Sequence, residues 1–399
     1  MFEPNAFRDL FPALAQPGAP LYLDNGASTQ TASPVLDAMD QYYRQYRANV
    51  HRGSHPWATR ATDALEASRD AVAALIGAPR REAVIFTSGT TAAINLVAWG
   101  LIDHFGPGDL ILVSAMEHHA NLVPWQLLAR RTGARIEPIP LDGKGALDMA
   151  AYDRLLAQKP KLVACCHVSN TLGLINPVVQ ICAKARAAGA LSLIDGAQAV
   201  AHLKVDIRAL GCDFYAFSGH KMFGPTGVGV LTGRLESLGE LLPFMGGGEM
   251  IDRVSFDTVT FNALPHRLEA GTGPISEIIG LGAAAELLTG LDASAHEAAL
   301  TQRLLAGLAK LPVQVLGNGP RVSLVSITVP GVHHSDLAHY LAGNNIAVRA
   351  GHHCTQPLHG LLGIAGSLRI ALAPYNTAAE VDACLAALGD GIDLFLELP

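Results

Sequence analysis

Short runs of apolar residues alternate with helix-length segments over residues 83–233. The runs read AVIFTSG, DLILVSAMEHH, ARIEPIPL, KLVACCHVSN, ALSLIDGAQ, CDFYAFSGHK and GVGVLTG. This alternation predicts a doubly wound α/β domain built on a largely parallel sheet. Ligands bind beyond the carboxyl ends of the strands in such sheets, so the polar residues that end each run are the candidate site.

A second, smaller unit follows the glycine-rich stretches GPTGVGV and MGGGEM. An Ala/Leu-rich helical stretch from about 276 to 310 leads into it, strands are expected near VSLVSITV and IAVRAG, and a final helix should begin at Thr377. We therefore expect an N-terminal segment (1–20) that packs with the small domain, a large α/β domain (21–275), and a linking helix with a small α+β domain (276–399).

Composition restricts the classes of function. The 399 residues carry 28 Lys and Arg against 35 Asp and Glu, a net charge of −7, and they lack the basic surface that nucleic-acid binding needs. No stretch offers the roughly 18 uninterrupted apolar residues of a membrane span. Apolar types make up 50% and charged types 16%, which suggests that much surface is buried inside the fold or between subunits. We expect a cytoplasmic protein with no membrane contact, whose six cysteines are reduced.

The strand-ending residues match the needs of one cofactor. Thr90 and Thr91 begin a predicted helix, where they are either ordinary N-terminal caps or part of a phosphate-binding site. Asp195 is either a helix cap or the partner of a protonated ring nitrogen. His118 offers an imidazole that stacks on a ring, and Lys221 follows a buried strand, where desolvation suits it to a Schiff base with an aldehyde. Taken together, these needs belong to pyridoxal 5′-phosphate, and the P-loop pattern GxxxxGK[ST] is absent.

The stretch RAGHHCTQP sets one cysteine apart from the five others. Two imidazoles and Arg349 can stabilise a thiolate at Cys354, whereas a zinc site built from His352, His353 and Cys354 is disfavoured by its one-residue ligand spacing, and no metal is expected. Arg369, fifteen residues further on, is either a structural ion-pair residue or a bidentate partner for a substrate carboxylate.

The chain resembles the type II cysteine desulfurases of the SufS/CsdA kind, within the class V aminotransferase superfamily. The stretches that carry the resemblance are YLDNGAST, NVHRGSH, GTTAAINLVA, EHHANLVPWQ, HVSNTLG, DGAQAV, DFYAFSGHKMFGPTGVGVL, LEAGT, RAGHHCTQP and APYNT. The family has the fold-type I architecture of pyridoxal-phosphate enzymes, so the resemblance implies a large, mostly parallel seven-stranded sheet domain and a smaller α+β C-terminal domain. The large domain would bind the cofactor.

The resemblance also implies a role for each candidate residue. Lys221 would form the Schiff base, His118 would stack on the ring, Asp195 would pair with the ring nitrogen, and Cys354 would be the nucleophile. The other implied contacts are Gln198 with the ring hydroxyl; Thr90, Thr91, Ser218, His220 and, from the second subunit of a homodimer, Thr272 with the phosphate; and Arg369, Asn170, Arg349, His51 and Arg52 with the substrate.

The activity implied is removal of sulfur from L-cysteine, which leaves L-alanine and a persulfide on Cys354. A SufE/CsdE-like acceptor protein would take the sulfur for iron–sulfur clusters or other sulfur compounds. Selenocysteine lyase, cysteine sulfinate desulfinase, aminotransferase or epimerase chemistry on the same scaffold stays open, as does a catalytically silent scaffold that binds a sulfur carrier. Ser88 and Glu277 depart from the family pattern near the phosphate site and the loop of Thr272.

Overall fold

The computed structural model describes residues 2–397. Its strands are β1 (Leu21–Tyr22), β2 (Ile85–Thr87), β3 (Leu110–Ser114), β4 (Arg135–Ile139), β5 (Leu162–Cys166), β6 (Leu191–Asp195), β7 (Phe214–Ser218), β8 (Gly229–Gly233), β9 (Ile251–Val254), β10 (Val259–Phe261), β11 (Gln314–Val315), β12 (Leu324–Thr328), β13 (Ile346–Ala347), β14 (Arg349–Gly351) and β15 (Ser367–Ala371). Its α-helices are α1 (Pro4–Arg8), α2 (Ser33–Gln45), α3 (Pro56–Leu75), α4 (Thr90–Gly100), α5 (Val123–Thr132), α6 (Met149–Leu156), α7 (Val178–Ala187), α8 (Ile207–Leu210), α9 (Leu235–Glu240), α10 (Ile275–Thr289), α11 (Ser294–Leu308), α12 (His334–Gly343), α13 (Gln356–Leu361) and α14 (Ala378–Glu397).

A seven-stranded sheet with the order β2-β8-β7-β6-β5-β3-β4 forms the large unit. Strands β3 to β7 pair in parallel, and β8 alone runs against its two neighbours, β2 and β7. Each strand comes from one of the seven apolar runs in the sequence. The predicted fold class, a doubly wound and mostly parallel α/β sheet, is confirmed.

Both faces of this sheet are buried, which explains why its strands read as continuous apolar runs. Along β3, Leu110 and Leu112 face an apolar layer that includes α3, α7 and α10, and Ile111 and Val113 face a second layer that includes α4 and α5. Successive side chains of a strand point to opposite faces, so one run supplies two cores. The carboxyl ends of the parallel strands consequently meet at one edge.

A four-stranded antiparallel sheet with the order β11-β12-β15-β14 forms the smaller unit. Its apolar face packs against α11, α12 and α14. The register places Arg349 of β14 opposite Arg369 of β15, so two cations face the large unit from neighbouring strands. The strands β12 and β14 and the helix α14 lie where the sequence predicted them.

The N-terminal segment contacts both units. Arg8 pairs with Glu380 of α14 at 3.0 Å, and β1 pairs with β13 of the C-terminal region. The Phe11 ring packs edge-on against Tyr375, with the ring centroids 4.6 Å apart, and against Phe223 of the large unit. These contacts join the beginning and the end of the chain beside the functional edge of the large sheet.

The predicted linking helix is two helices instead of one. α10 ends at Thr289, α11 begins at Ser294, and their axes differ by 85°. α10 packs against α2 and α3 of the large unit, so the Gly290 turn marks the passage to the smaller one. Within residues 2–397 no single helix is both long and apolar enough to cross a membrane. The bent pair α10 and α11 meets the length and composition criteria for a membrane span only when its two helices are counted together.

Candidate active site

A cavity of about 190 Å³ lies at the carboxyl edge of the large sheet, where the smaller unit covers it. Twelve of the fifteen site residues proposed from the sequence line it: Thr90, Thr91, His118, Asn170, Asp195, Gln198, Ser218, His220, Lys221, Arg349, Cys354 and Arg369. Nine of these residues end or follow strands of the large sheet, whose carboxyl ends share one edge, whereas Arg349, Cys354 and Arg369 come from the smaller unit. The cavity therefore joins side chains that are up to 279 residues apart in the sequence.

Hydroxyl groups and backbone N–H groups line one end of the cavity. The Thr90 N–H donates to Ser218 Oγ at 2.8 Å, and the Thr90 and Ser218 hydroxyls lie 2.7 Å apart. Gly89 precedes α4 with φ +143°, and a Cβ at this position would come within 3.3 Å of Ser218 Oγ. The start of α4 thus combines the Thr90 and Ser218 hydroxyls with the positive end of the helix dipole, a combination suited to an anion such as phosphate.

Lys221 and Asp195 lie at the ends of adjacent parallel strands. β7 leads into the turn Gly219–Lys221, and Asp195 is the last residue of β6. Burial lowers the pKa of Lys221 to about 8, against the opposing charge of Asp195. Burial also disfavours the charged form of Asp195 and so raises its pKa, although its Oδ1 accepts a 2.9 Å hydrogen bond from the Ala197 N–H. An amine with this lowered pKa is partly uncharged near neutrality and is able to act as a nucleophile.

His118 is held in a single tautomer. Its Nδ1 accepts a 3.0 Å hydrogen bond from the Ala120 N–H, so the proton of the neutral imidazole lies on Nε2. Burial and then the charge of Lys221 lower its pKa to about 4, so the ring is neutral near pH 7. Gln198 is fixed in turn by its 2.6 Å bond from Nε2 to the Gly26 carbonyl.

Arg369 lines the cavity where the smaller unit covers it. It is 2% exposed, donates from Nη1 to the Asn170 carbonyl at 2.8 Å, and donates from Nη2 to Asp24 at 3.1 Å. A Cβ at Gly26 would lie 3.0 Å from Arg369 Cζ, so glycine leaves room for the guanidinium. Arg349 also lines the cavity and adds a second positive charge. The two cations suit a ligand carboxylate.

The thiol of Cys354 enters this cavity from a strained turn. His353 and Cys354 have φ values of +49° and +60°, which non-glycine residues rarely adopt. Hydrogen bonds from Asn170 Nδ2 to the His353 carbonyl, at 2.6 Å, and from the His119 N–H to the Cys354 carbonyl, at 2.8 Å, hold the turn. Its conformation therefore depends on residues that follow the strands of the large unit.

Three proposed residues lie outside this cavity in the single chain. His51, Arg52 and Thr272 belong to a separate region, where a second cavity of about 350 Å³ is lined by His51, Thr272 and Ser88 among others. The prediction that His51 and Arg52 line the first cavity does not hold within one chain. Contacts with carboxylates explain their position: His51 Nε2 lies 3.2 Å from an oxygen of Glu66, and Arg52 forms an ion pair with Glu249 at 3.0 Å.

Sequence reasoning gave no role to Glu117, which the structure places beneath the cavity. Its carboxylate accepts hydrogen bonds from the Ser114 hydroxyl, from Asn121 Nδ2 at 2.6 Å and from the Cys166 N–H at 2.6 Å. Burial raises the pKa of Glu117 to about 7, and the charge of Asp195 adds to the shift. A carboxyl directly after an apolar strand and before His118 is the sequence signal that marks it.

Comparisons with known proteins identify the family of the chain. The profile of the aminotransferase class-V family matches residues 21–384. Proteins named probable cysteine desulfurase from Pseudomonas aeruginosa and Vibrio cholerae are 47% and 44% identical to the chain, over 99% of its length and 100% of theirs.

Solved structures are similar over almost the whole chain. The cysteine desulfurase CsdA of Escherichia coli, in an S-sulfonic acid form, matches with a TM-score of 0.92 and 40% identity and covers 99% of both chains. The apo cysteine desulfurase of Thermococcus onnurineus NA1 matches with a TM-score of 0.94 and 39% identity, over 98% of this chain and 99% of that one. The resemblance inferred from the sequence motifs is confirmed, and the chain belongs to the aminotransferase class-V family.

Proposed function

We propose that the protein is a cysteine desulfurase, which converts L-cysteine to L-alanine and leaves the sulfur as a persulfide on Cys354. One observation carries the proposal: a thiol on a strained turn shares its cavity with Lys221, Asp195 and Arg369. An aminotransferase has no need of a nucleophilic thiol at that place. The names of the relatives point in the same direction.

Pyridoxal 5′-phosphate is the cofactor of this family, and the cavity residues fit it. Lys221 would bond to its aldehyde, Asp195 would hold the ring nitrogen, Gln198 would contact the ring hydroxyl and His118 would cover the ring. The phosphate would be held by Thr90, Thr91, Ser218, His220 and, from the partner subunit of a homodimer, Thr272. When bound, the cofactor supplies an electron sink for the α-carbon of the amino acid.

The side chains around the substrate divide three tasks. Arg369, held by Asp24 and by the Asn170 carbonyl, binds and orients the α-carboxylate with help from Arg349. Lys221 Nζ, whose pKa lies at about 8, is able to accept and return a proton at the α-carbon. The cover formed by the smaller unit limits the entry of water and strengthens these charge contacts.

Sulfur transfer requires the thiolate of Cys354. Its Sγ bonds to the substrate sulfur while the carbon–sulfur bond breaks, and the electron pair of that bond passes to carbon, which takes a proton and ends as the methyl group of alanine. The transferred sulfur is oxidised to the persulfide level as the carbon is reduced, so no outside oxidant is needed. A SufE/CsdE-like protein then takes the sulfur from Cys354.

The test is alanine formation from L-cysteine by the cofactor-loaded protein. We expect Cys354→Ser to retain the cofactor absorbance but to lose most alanine formation. Cys166→Ala is the matched control, because Cys166 also lines the cavity but the hydrogen bond with the neighbouring Cys165 and then burial raise its pKa well above the usual value. A Cys354→Ser variant with full alanine release would contradict the proposal, and keto-acid formation instead of alanine would favour an aminotransferase.

The same proposal covers the assembly and the location of the protein. We propose a homodimer that acts in the cytoplasm, in which Thr272 reaches the cavity of the partner subunit. Since His51 shares the second cavity with Thr272, its role in substrate binding, and that of the adjacent Arg52, would also depend on the dimer.

A further inference from the structure

His353, the residue before the cavity cysteine, presents an unused hydrogen-bond acceptor. The side chain is 4% exposed and lines the same cavity as Cys354, Lys221 and Arg369. Its Nε2 lies 3.1 Å from the Ser367 carbonyl oxygen and 3.0 Å from the Ser367 hydroxyl. Since a carbonyl oxygen only accepts, Nε2 must carry the ring proton and Nδ1 must carry a free lone pair.

No group within residues 2–397 satisfies that lone pair. Nδ1 is buried without a hydrogen-bond partner, and the adjacent thiol of Cys354 makes no hydrogen bond to it. A buried acceptor without a partner costs about 1 to 3 kcal/mol in a folded protein, so such an atom calls for an explanation. In a cavity that receives a ligand, the natural partner is a donor on the ligand.

The surroundings of His353 make it an acceptor rather than a base. Burial lowers its pKa to about 2, and the positive charges of Arg369 and Arg349 and the His359 ring act in the same direction. An imidazolium near these two guanidinium groups would be disfavoured by charge repulsion. The ring therefore stays neutral near pH 7, and Nδ1 accepts a hydrogen bond without taking the proton.

We propose that His353 Nδ1 accepts a hydrogen bond from the side-chain thiol of the bound amino acid and thereby selects an un-ionised thiol. This inference rests on the proposed function, in which Arg369 binds the carboxylate and Lys221 serves the α-carbon. The side chain is then the remaining donor. Its sulfur must come close to Cys354, the neighbour of His353 in the chain.

This contact distinguishes three related substrates. A thiol with an ordinary pKa near 8.5 keeps its proton at neutral pH and is able to donate it. A sulfinate is ionised and has only acceptor oxygens, so it meets the Nδ1 lone pair with its own lone pairs. A selenol is more acidic than a thiol and is mostly ionised at neutral pH, so it too gains nothing from Nδ1. His353 is thus a specificity-determining residue for cysteine over cysteine sulfinate and selenocysteine.

The test compares variants of the cofactor-loaded enzyme on L-cysteine and L-cysteine sulfinate, with alanine as the product measured. His353→Phe keeps an aromatic ring but removes the hydrogen-bond acceptor. If the Phe variant does not fold, His353→Leu is used in its place. His353→Asn restores an acceptor oxygen near the position of Nδ1. His359→Leu is the matched control, because His359 is 1% exposed and also contacts the Ser367 hydroxyl, at 3.1 Å, but does not line the cavity.

We expect His353→Phe to lower kcat/KM for L-cysteine by about three- to tenfold, the size of a weak neutral hydrogen bond, while kcat/KM for the sulfinate is unchanged or rises. His353→Asn should recover most of the cysteine selectivity, and His359→Leu should affect both substrates alike. Equal losses on both substrates in His353→Phe, or the same selectivity change in His359→Leu, would overturn the inference. Failure of the wild type to form alanine from L-cysteine would instead refute the proposed function.

Discussion

The lowered pKa of Lys221 is a property of the cavity that single substitutions should shift in both directions. Burial is the largest cause of the lowering to about 8, the carboxylate of Asp195 opposes it, and the cations Arg369 and Arg349 add to it. Asp195→Asn removes the charge that favours the ammonium, so the pKa of Lys221 should fall below 8. Arg349→Met removes a repulsive cation, so the pKa should rise.

The effect on reactivity is large enough to measure. At pH 7 a lysine with a pKa of about 8 is uncharged in about one molecule in ten, against about one in 3,000 at the usual value of 10.5. The cavity therefore raises the fraction of nucleophilic amine by roughly 300-fold. This gain applies to the cofactor-free chain, in which Nζ is not yet bonded to an aldehyde.

Competitive acetylation of the cofactor-free protein across a series of pH values, read by mass spectrometry, reports this fraction directly. The exposed Lys144 serves as the internal reference in every sample. We expect the labelling of Lys221 to reach half of its maximum near pH 8, at a lower pH in Asp195→Asn and at a higher pH in Arg349→Met. An inflection near the usual 10.5 in the wild type, or shifts of both variants in the same direction, would refute the electrostatic reasoning.

Two further predictions concern the frame of the cavity. Arg69 is 1% exposed and donates two hydrogen bonds to Glu269, at 2.7 and 3.0 Å. Arg69→Met should therefore lower the free energy of unfolding, measured by urea denaturation, by about 3 to 5 kcal/mol. The control Arg44→Met breaks an exposed ion pair and should change this free energy by less than about 1 kcal/mol. Gly173 has φ +71°, and a Cβ at this position would lie 2.1 Å from a carbonyl oxygen of β12. Gly189 has a similar φ of +79°, but a Cβ there would have no neighbour within 4 Å. Gly173→Ala should therefore lower the thermal unfolding midpoint more than Gly189→Ala does.

The residues that end the parallel strands were predictable because a simple geometric rule brings them together. Asp195 ends β6 and Ser218 ends β7, and each follows an apolar run that is easy to recognise in the sequence. The rule does not extend to Arg369, which is buried inside a strand of the other sheet. Its pattern suited a structural ion pair as well as a substrate contact, and only the family resemblance favoured the second.

The positions of His51 and Arg52 depend on partners that no local pattern reveals. Glu66 lies fifteen residues beyond His51, and Glu249 comes from a distant part of the chain. Contacts between such segments form only after the sheet and its helices are packed. Sequence similarity marks these two residues as candidates for substrate binding, but it does not show that a single chain holds them apart from the cavity of Lys221.

The turn that carries Cys354 shows why neither unit alone makes the site. Left-handed backbone at a residue other than glycine costs about 1 to 2 kcal/mol, and the turn has two such residues, His353 and Cys354, in succession. The two hydrogen bonds that offset this cost come from Asn170 and His119, both in the large unit. Asn170 also accepts a hydrogen bond from Arg369 through its carbonyl, so one residue positions both the thiol and the guanidinium. Substitution of Asn170 by alanine removes the Nδ2 donor that holds the Cys354 turn but keeps the backbone carbonyl that binds Arg369, so it should disturb sulfur transfer more than carboxylate binding.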